Sequence, residues 1–173
     1  MAKIEKLLLF IEQWEGGYVN DPNDLGGATN KGVTLKTWQS VGYDKNGDGK
    51  IDEEDLKRIT SQDLVTVVLR PYYWNRCQGD RIQSQAIANI FVDWAWLTGV
   101  ITIKFTQKIV GVKEDGIVGE QTLRAINEAD EKQLFERIKA ERIAHIEQIC
   151  KARPANNRFK KGWLNRIAAH RIN

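Results

Sequence analysis

The chain has 173 residues, enough to bury a core without disulfide staples, as one domain or as a domain with a small appendage. Apolar residues make up 42% and charged residues 28%, as in ordinary soluble globular proteins. No stretch approaches about 18 uninterrupted apolar residues, which excludes a membrane-spanning helix, and two cysteines are too few for a disulfide framework.

The first predicted element is an amphipathic helix over residues 3–15. Its apolar side chains recur at the i, i+3, i+4, i+7 spacing of one helix face. That face consists of Ile4, Leu7, Leu8, Ile11 and Trp14. Gly16 and Gly17 end the helix and leave Glu15 in its last turn, on or beside the apolar face.

The next segment, residues 18–34, is rich in Asn, Asp, Gly and Pro, which indicates a long turn or a short, irregular hairpin. Most of the remaining chain has helical periodicity, and Pro71 is expected to end one helix. The expected helices cover residues 35–40, 60–70, 83–97, 101–110, 120–128, 131–151 and a last short segment around 163–167. The predicted fold class is α+β, predominantly α-helical, with a small irregular β region near residues 18–34.

Four further side chains carry simple expectations. Cys77 and Cys150 are predicted to be reduced, partly buried thiols. His145 and His170 lie in basic helical segments without metal-ligand spacing, so we expect both on the surface.

The chemistry of the N-terminal region centres on Glu15, which is expected next to Trp14. Partial burial of a carboxyl beside an aromatic ring raises its pKa, and a carboxyl that stays protonated can act as a general acid. The loop that follows contains Asp21 and Asp24, and then Thr29. A glycosidase needs one acid on the leaving oxygen and a second group on the opposite face of the sugar. A capped, solvated turn explains the same residues, so this spacing alone leaves the function open.

Residues 15–34 read EGGYVNDPNDLGGATNKGVT. They resemble the N-terminal signature of glycoside hydrolase family 108, the phage-like N-acetylmuramidases. In that signature E-G-G-Y is followed by D-P and then by D-x-G-G-x-T-x-x-G-[IV]-T. The matching positions are Glu15, Gly16, Gly17, Tyr18, Asp21, Pro22, Asp24, Gly26, Gly27, Thr29, Gly32, Val33 and Thr34. PYYWN at 71–75, FVDWAWLTG at 91–99 and KKGWLNR at 160–166 are similar to later segments of the family.

The resemblance implies a lysozyme-like fold in which residues 1–100 form the catalytic region. It also implies that Glu15 donates a proton to the β-1,4 bond between N-acetylmuramic acid and N-acetylglucosamine. The spacing of Glu15, Asp24 and Thr29 resembles the triad of phage-type lysozymes, in which Asp and Thr position a water and the Thr lies one residue further along. Asp21 competes with Asp24 for this role. The separation of the carboxyls, which decides between inversion and retention, stays open.

Several side chains are expected to contact the glycan, because aromatic faces pack against the C–H face of a sugar ring and the family motif includes polar neighbours. The predicted substrate-binding residues are Tyr18, Asp21, Trp74, Asp93 and Trp163. No cofactor is implied for catalysis.

Residues 44–55 read DKNGDGKIDEED and resemble an EF-hand calcium loop with Asp in place of the usual Glu at position 12. The candidate ligands are Asp44, Asn46, Asp48, the carbonyl of Lys50, Asp52 and Asp55. We expect a structural calcium ion; an acidic turn without metal is the alternative.

The C-terminal region, residues 101–173, is predicted to be a peptidoglycan-binding helical region packed on the catalytic part. Within residues 105–127 a Gln on a helix is followed by D-G-x-x-G-x-x-T, which resembles a predicted peptidoglycan-binding segment. The matching residues are Gln107, Asp115, Gly116, Gly119 and Thr122. A plain αα-hairpin turn explains the same glycines.

The charge distribution bears on the partner. Residues 131–173 carry eleven bases and four acids, which suits an anionic polymer or a solvated helix face equally well. Nucleic acid is not expected, since no recognisable motif accompanies the charge. The family resemblance implies that bacterial peptidoglycan is the partner, and a non-catalytic wall-binding or secretion-assisting protein is the main alternative. A calcium-regulated interaction module is a further alternative.

The N-terminus lacks the pattern of a signal peptide, because Glu5 and Glu12 interrupt its apolar run. We expect a cytoplasmic protein until its release to the periplasm or cell wall. By family analogy, a holin would provide that export.

Overall fold

The protein is described by a computed structural model, which covers residues 1–20 and 27–172. The chain forms two compact units, Leu8–Tyr72 and a second unit that combines Met1–Leu7 with Tyr73–Asn173. Helices dominate the described residues, and these also form a two-stranded antiparallel sheet. The predicted α+β class with a predominance of helix is confirmed.

The unit Leu8–Tyr72 contains short elements joined by long loops. Helix α1 spans Ile4–Trp14, close to its predicted bounds, and enters this unit with its buried residue Ile11. The elements that follow are β1 (Thr29–Asn30), β2 (Val33–Thr34), α2 (Leu35–Val41), α3 (Glu53–Lys57) and α4 (Ser61–Asp63).

The sheet is a tight hairpin whose turn is dictated by two residues. Asn30 pairs with Val33, so that Lys31 and Gly32 form a two-residue turn. Both have positive φ, 50° and 77°, as a type I′ turn requires. Glycine adopts this conformation without steric cost, and the turn matches the twist of the two strands. The predicted short hairpin in this region is confirmed.

A wide helix follows α4 and corrects one prediction. A π-helix spans Leu64–Trp74 and contains Pro71, so the helix does not end at Pro71 as predicted. In an α-helix the proline ring collides with the carbonyl four residues earlier. A π-helix bonds five residues back and is wider, which relieves that collision.

The second unit consists almost entirely of helices. Their bounds agree closely with the predicted ones except for the last helix, which is longer than the short segment predicted around residues 163–167. They are α5 (Gln85–Thr98), α6 (Ile101–Val110), α7 (Glu120–Glu128), α8 (Glu131–Ala152) and α9 (Asn157–Ala169), with 3₁₀ turns at Gly79–Arg81 and Pro154–Asn156. Helix α5 is apolar on nearly every side and is the most deeply buried helix of the unit. It shares this unit with the helices after residue 100, so packing does not separate the chain at that residue.

The turn between α6 and α7 is built around one buried amide. Gln107 is 1% exposed, and its Nε2 donates to Asp115 Oδ1 at 2.8 Å, to the Ile117 carbonyl at 3.0 Å and to Thr122 Oγ1 at 3.2 Å. Its Oε1 accepts the Gly116 N–H at 2.8 Å. The residues that match the peptidoglycan-binding pattern therefore form the turn itself, and their polar groups are occupied by one another.

None of the helices in the described part of the chain combines the length and apolar character that a membrane crossing needs.

Trp74 lies inside the second unit, which corrects its predicted role. Its ring is fully buried, and its Nε1 donates to Asp80 Oδ1 at 2.8 Å. The ring packs against the backbone of Gly79, where a Cβ would lie 2.4 Å from it. The prediction that Trp74 binds substrate is wrong, because a ring without exposed surface cannot reach a sugar.

We expect Gly79→Ala to lower the free energy of unfolding by about 1–3 kcal/mol, because the added methyl overpacks the Trp74 ring. Urea denaturation measures this change. Gly162→Ala is the matched control. No described atom outside the local backbone of α9 lies within 4 Å of its Cβ position, so the substitution should leave stability equal or higher. A Gly79→Ala protein as stable as the parent would contradict the packing described here.

Candidate active site

Glu15 lies at the point where α1 ends. Its amide donates to the Ile11 carbonyl at 2.9 Å, so the backbone keeps helical geometry up to this residue. Its side chain and that of Trp14 are both half-buried. The Trp14 ring is 6.4 Å from that of Phe10, one turn earlier. Glu15 thus follows Trp14 at the end of α1 with part of its surface covered.

Two exposed glycines follow Glu15 in the chain. Gly16 and Gly17 are exposed, and a Cβ built at either would meet no described atom within 4 Å. Packing within the described fold therefore does not require glycine at these positions. Glycine at these two positions removes side-chain bulk next to Glu15 in the chain.

A second carboxyl on α1, that of Glu12, is held by other partners. It accepts a hydrogen bond from Ser61 and pairs with Lys31 Nζ at 3.1 Å. The hydrogen bond from Ser61, followed by the contact with Lys31, holds the pKa of the Glu12 carboxyl below its ordinary value. Glu12 is therefore an ionised anchor for the hairpin turn, and sequence analysis did not assign it this role.

Thr29 is brought close to the segment after Glu15 by backbone pairing. Val19 and Thr29 exchange two hydrogen bonds of 2.8 Å in an antiparallel bridge. The Thr29 hydroxyl lies 3.3 Å from the Gly27 carbonyl, to which it donates. Asp21 and Asp24, the two candidate partners of Glu15, lie outside the described residues.

Tyr18 and Asn20 are tied to α3. The Tyr18 hydroxyl donates to Glu53 Oε2 at 2.8 Å, and Asn20 Nδ2 lies 3.2 Å from the same oxygen. Lys57 Nζ lies 5.2 Å from the centre of the Tyr18 ring, in cation–π range. Sequence analysis missed Glu53, because its carboxyl belongs to an acidic run that is typical of a solvated loop. A substrate contact from the half-buried Tyr18 ring stays a prediction.

The acidic loop folds by turning its carboxylates onto its own backbone. Asp44 accepts the N–H groups of Asn46, Gly47 and Gly49 at 2.6–3.1 Å. The described residues contain no group of three or more His, Cys, Asp or Glu side chains arranged to hold a metal ion. Calcium at the predicted ligands stays a prediction.

Asp55 closes this loop from the start of α3. It is fully buried and accepts N–H groups from Lys45 at 2.7 Å, Asn46 at 3.1 Å and Asp52 at 2.9 Å. These backbone donors, led by Asp52, hold the pKa of Asp55 below its ordinary value. Asp52 in turn caps α3 by accepting the Glu54 N–H at 2.9 Å.

Asp93 forms a buried charge cluster that corrects its predicted role in substrate binding. The side chain is fully buried on α5 and is met by Arg142 Nη2 at 2.9 Å and Arg166 Nη2 at 2.7 Å. His170 Nε2 lies 3.0 Å away. Burial alone would raise the pKa of Asp93, but the His170 contact and the two guanidinium charges lower it well below its ordinary range. Asp93 cannot reach a substrate from this position and instead joins α5, α8 and the C-terminal segment.

The other expectations for this unit have mixed outcomes. Cys77 and Cys150 are free and buried, as predicted, and burial raises the pKa of the Cys77 thiol to about 12. The surface location predicted for the histidines is wrong, since His170 is 3% exposed and half-buried His145 packs on the Phe105 ring at 5.3 Å. Trp163 is half-buried on α9 against an apolar cluster, and its sugar contact stays a prediction.

Comparison with known proteins gives matches over nearly the whole chain. Residues 8–99 match the sequence profile of the family described as Glycosyl hydrolase 108, and residues 101–168 match that described as Predicted Peptidoglycan domain. The solved structure of Brucella abortus SagA superposes with a TM-score of 0.76 at 30% sequence identity, covering 95% of this chain and 88% of that one. A comparison with curated protein sequences gave no match.

The fold is predominantly helical, and a half-buried glutamate lies where its first helix ends. Such a fold is that of a lysozyme-like glycoside hydrolase. The Glycosyl hydrolase 108 match covers more than half of the sequence, so the chain belongs to that family. With its peptidoglycan domain it is a peptidoglycan hydrolase, which confirms the family resemblance and the enzyme class predicted from sequence.

We expect Asp93→Ala to lower the free energy of unfolding by about 3–5 kcal/mol, because it leaves two buried guanidinium groups without their counter-charge. Chemical denaturation of the full chain checks this. The matched control is Glu147→Ala, which breaks the exposed pair with Lys160 and should cost less than about 1 kcal/mol. Similar losses for the two variants would show that the Asp93 cluster does not organise the fold.

Proposed function

We propose that the enzyme cleaves the β-1,4 bond between N-acetylmuramic acid and N-acetylglucosamine, with Glu15 as the general acid. The observation that carries this proposal is the half-buried residue Glu15 at the end of α1, between Trp14 and two exposed glycines in the chain. A glycosidase needs a carboxyl that protonates the leaving oxygen, and Glu15 occupies the first position of the E-G-G-Y family signature.

The competing carboxyl on the same helix is unsuited to proton donation. Ser61 and Lys31 stabilise the ionised form of Glu12, so it carries no proton to give near neutral pH. Glu12 instead secures the turn after β1 to α1. The two acids, three residues apart, therefore have different tasks that follow from their neighbours.

Thr29 and Asp24 are the proposed partners on the other side of the scissile bond. The bridge between Val19 and Thr29 supports this role. It pairs Thr29 with a residue that follows Glu15 closely in the chain. In the proposed reaction Asp24 and Thr29 direct a water whose attack inverts the anomeric carbon. A direct attack by Asp24 on that carbon would instead retain its configuration.

We expect Glu15→Gln to reduce lysis of purified peptidoglycan by about 100- to 10,000-fold, the range typical of a lost general acid. Binding to the insoluble wall, measured by co-sedimentation, should persist because the shape of the side chain is kept. Glu12→Gln is the matched control on the same helix face and should retain lysis while losing some thermal stability. Lysis by Glu15→Gln at the parent rate would rule out the proposed acid.

The products of the same digestion define the bond. Mass spectrometry should detect fragments with muramic acid at the reducing end. Reducing-end glucosamine, or cleaved stem peptides, would contradict the proposed bond. Either result would leave the assignment of peptidoglycan as the substrate unchanged.

We further propose that loop 44–55 takes up a structural calcium ion. The support is the order of its oxygen-bearing residues, together with the positive φ of Gly47 and Gly49, 81° and 84°, which bends the chain back over Asp44. Binding requires the carboxylates to exchange some of their backbone donors for the ion. The proposed role is to hold α3, and with it Glu53 and Tyr18, in place.

Calcium at about 100 times its Kd should raise the melting temperature by roughly 5–10 °C, because an ion that binds only the folded state stabilises it. Thermal scans with calcium and with chelator measure the shift. Asp48→Asn removes one carboxylate charge and should reduce the shift. It should leave the melting temperature in chelator nearly unchanged, since the Asn oxygen still accepts the Lys50 N–H and only the exposed contact with Asn46 Nδ2 is lost. A parent protein whose scan ignores both calcium and chelator would remove this proposal.

A further inference from the structure

Helix α3 is bonded to the segment that follows Glu15. The Glu53 carboxylate accepts the Tyr18 hydroxyl at 2.8 Å, and Asn20 Nδ2 lies 3.2 and 3.3 Å from its two oxygens. Val19, between these two residues, forms a β-bridge through its backbone, so the chain is locally extended there. Side chains two residues apart in an extended segment point to the same side. One carboxylate therefore holds both side chains of this segment that face it.

Tyr18 is held at its hydroxyl and at its ring by α3. Glu53 and Lys57 are four residues apart, and residues at that spacing are neighbours on a helix surface. Glu53 bonds the hydroxyl, while Lys57 Nζ lies 5.2 Å from the centre of the ring. The hydrogen bond to Glu53 raises the pKa of Tyr18, so the hydroxyl keeps the proton with which it donates.

Helix α3 is also bonded to the hairpin. Asn30 is buried, and its Nδ2 donates to the Leu56 carbonyl at 2.8 Å. Leu56 itself is fully buried, so this contact belongs to the core of the unit. Asn30 follows Thr29, whose backbone exchanges two hydrogen bonds of 2.8 Å with Val19. One five-residue helix is therefore bonded both to the residues after Glu15 and to the strand that begins at Thr29.

The segment after Glu15 needs these bonds, because two glycines precede it. Glycine leaves the backbone more conformational freedom than any other residue, and a Cβ built at Gly16 or Gly17 would meet no described atom within 4 Å. The bridge to Thr29 sets the spacing of the two backbones, but a single pair of hydrogen bonds allows them to twist about it. Glu53 adds side-chain bonds on both sides of the bridge and removes this freedom.

We propose that Glu53 is a positioning residue for the cleavage reaction, which fixes the place of Glu15 relative to Thr29. The inference rests on the proposed function, in which Glu15 donates the proton and Thr29 helps to direct the water. A displacement of about 1 Å between groups that act on one bond can lower the rate about 100-fold. Glu53 contacts no sugar in this proposal and acts through Tyr18 and Asn20.

The test measures kcat and KM of the full chain on soluble, uncross-linked glycan strands from peptidoglycan. Glu53→Ala should lower kcat by about 10- to 100-fold and change KM by less than about threefold, because the reacting groups are displaced. Glu53→Gln keeps an oxygen for the Tyr18 hydroxyl and should recover most of the lost kcat. Equal losses of kcat in the two variants, or an effect confined to KM, would overturn the proposal.

A double variant tests the path through Tyr18. Tyr18→Phe alone should lower kcat, and adding it to Glu53→Ala should lower kcat no further, because the bond is already lost. Losses that multiply in the double variant would show that the two side chains act independently, and would overturn the proposal. All rates are measured well below the melting temperature of each variant, so that loss of folded protein does not contribute.

Glu54→Ala is the matched control on α3. Glu54 is an exposed acid next to Glu53, and its carboxylate pairs with Lys57 at 2.6 Å. An exposed pair of this kind contributes little to stability, so the variant should keep kcat within about twofold of the parent. A loss of kcat as large as that of Glu53→Ala would show a general effect of charge on α3 and would overturn the proposal.

Glu15→Gln, measured in parallel, separates this proposal from the catalytic one. A lowered kcat in Glu15→Gln together with a parent rate in Glu53→Ala would overturn the role of Glu53 and leave that of Glu15 in place. A parent rate in Glu15→Gln would overturn the catalytic proposal, and with it the positioning of Glu15 by Glu53.

Discussion

The pairing of Asp93 with Arg142 and Arg166 is the constraint on which the helical unit depends. A carboxylate buried this deeply without a counter-charge would cost several kcal/mol. Helices α5, α8 and α9 can therefore pack together only in an arrangement that brings both guanidinium groups to Asp93. Apolar surfaces tolerate small shifts along one another, whereas these bonds have fixed lengths and directions. The cluster therefore fixes the register of three helices.

Much of the fold follows from local sequence. The helices α5 to α8 begin and end close to their predicted bounds, because helix periodicity is local and caps and glycine stops act within a few residues. In the structure Ser84 and Asp130 cap α5 and α8, and Gly111 ends α6. The π-helix through Pro71 could not be predicted from sequence. It depends on a change from i→i+4 to i→i+5 hydrogen bonds, and no residue type in the segment indicates that change. The Asp93 cluster was hidden for another reason. Its two arginines belong to a basic segment, and composition does not tell which bases turn inward.

The candidate site divides in the same way. The position of Glu15 beside Trp14 is a local matter of helix phase and a glycine stop, and sequence predicted it. Glu53 and Glu12 gained their tasks from partners 35 and 49 residues away, Tyr18 and Ser61, so only the folded chain reveals them. Motif matching also overstated Trp74 and Asp93, because a residue typical of a family can be needed for packing as easily as for contact with substrate.

The amide of Gln107 bears on how such domains are recognised and compared. The positions that mark residues 101–168 as a peptidoglycan domain spend their hydrogen bonds on each other, inside a turn. A relative could keep all of them while its outer face drifts toward another polymer. A match to this signature therefore identifies the framework of the domain. The polymer that the domain binds has to be inferred from its exposed side chains.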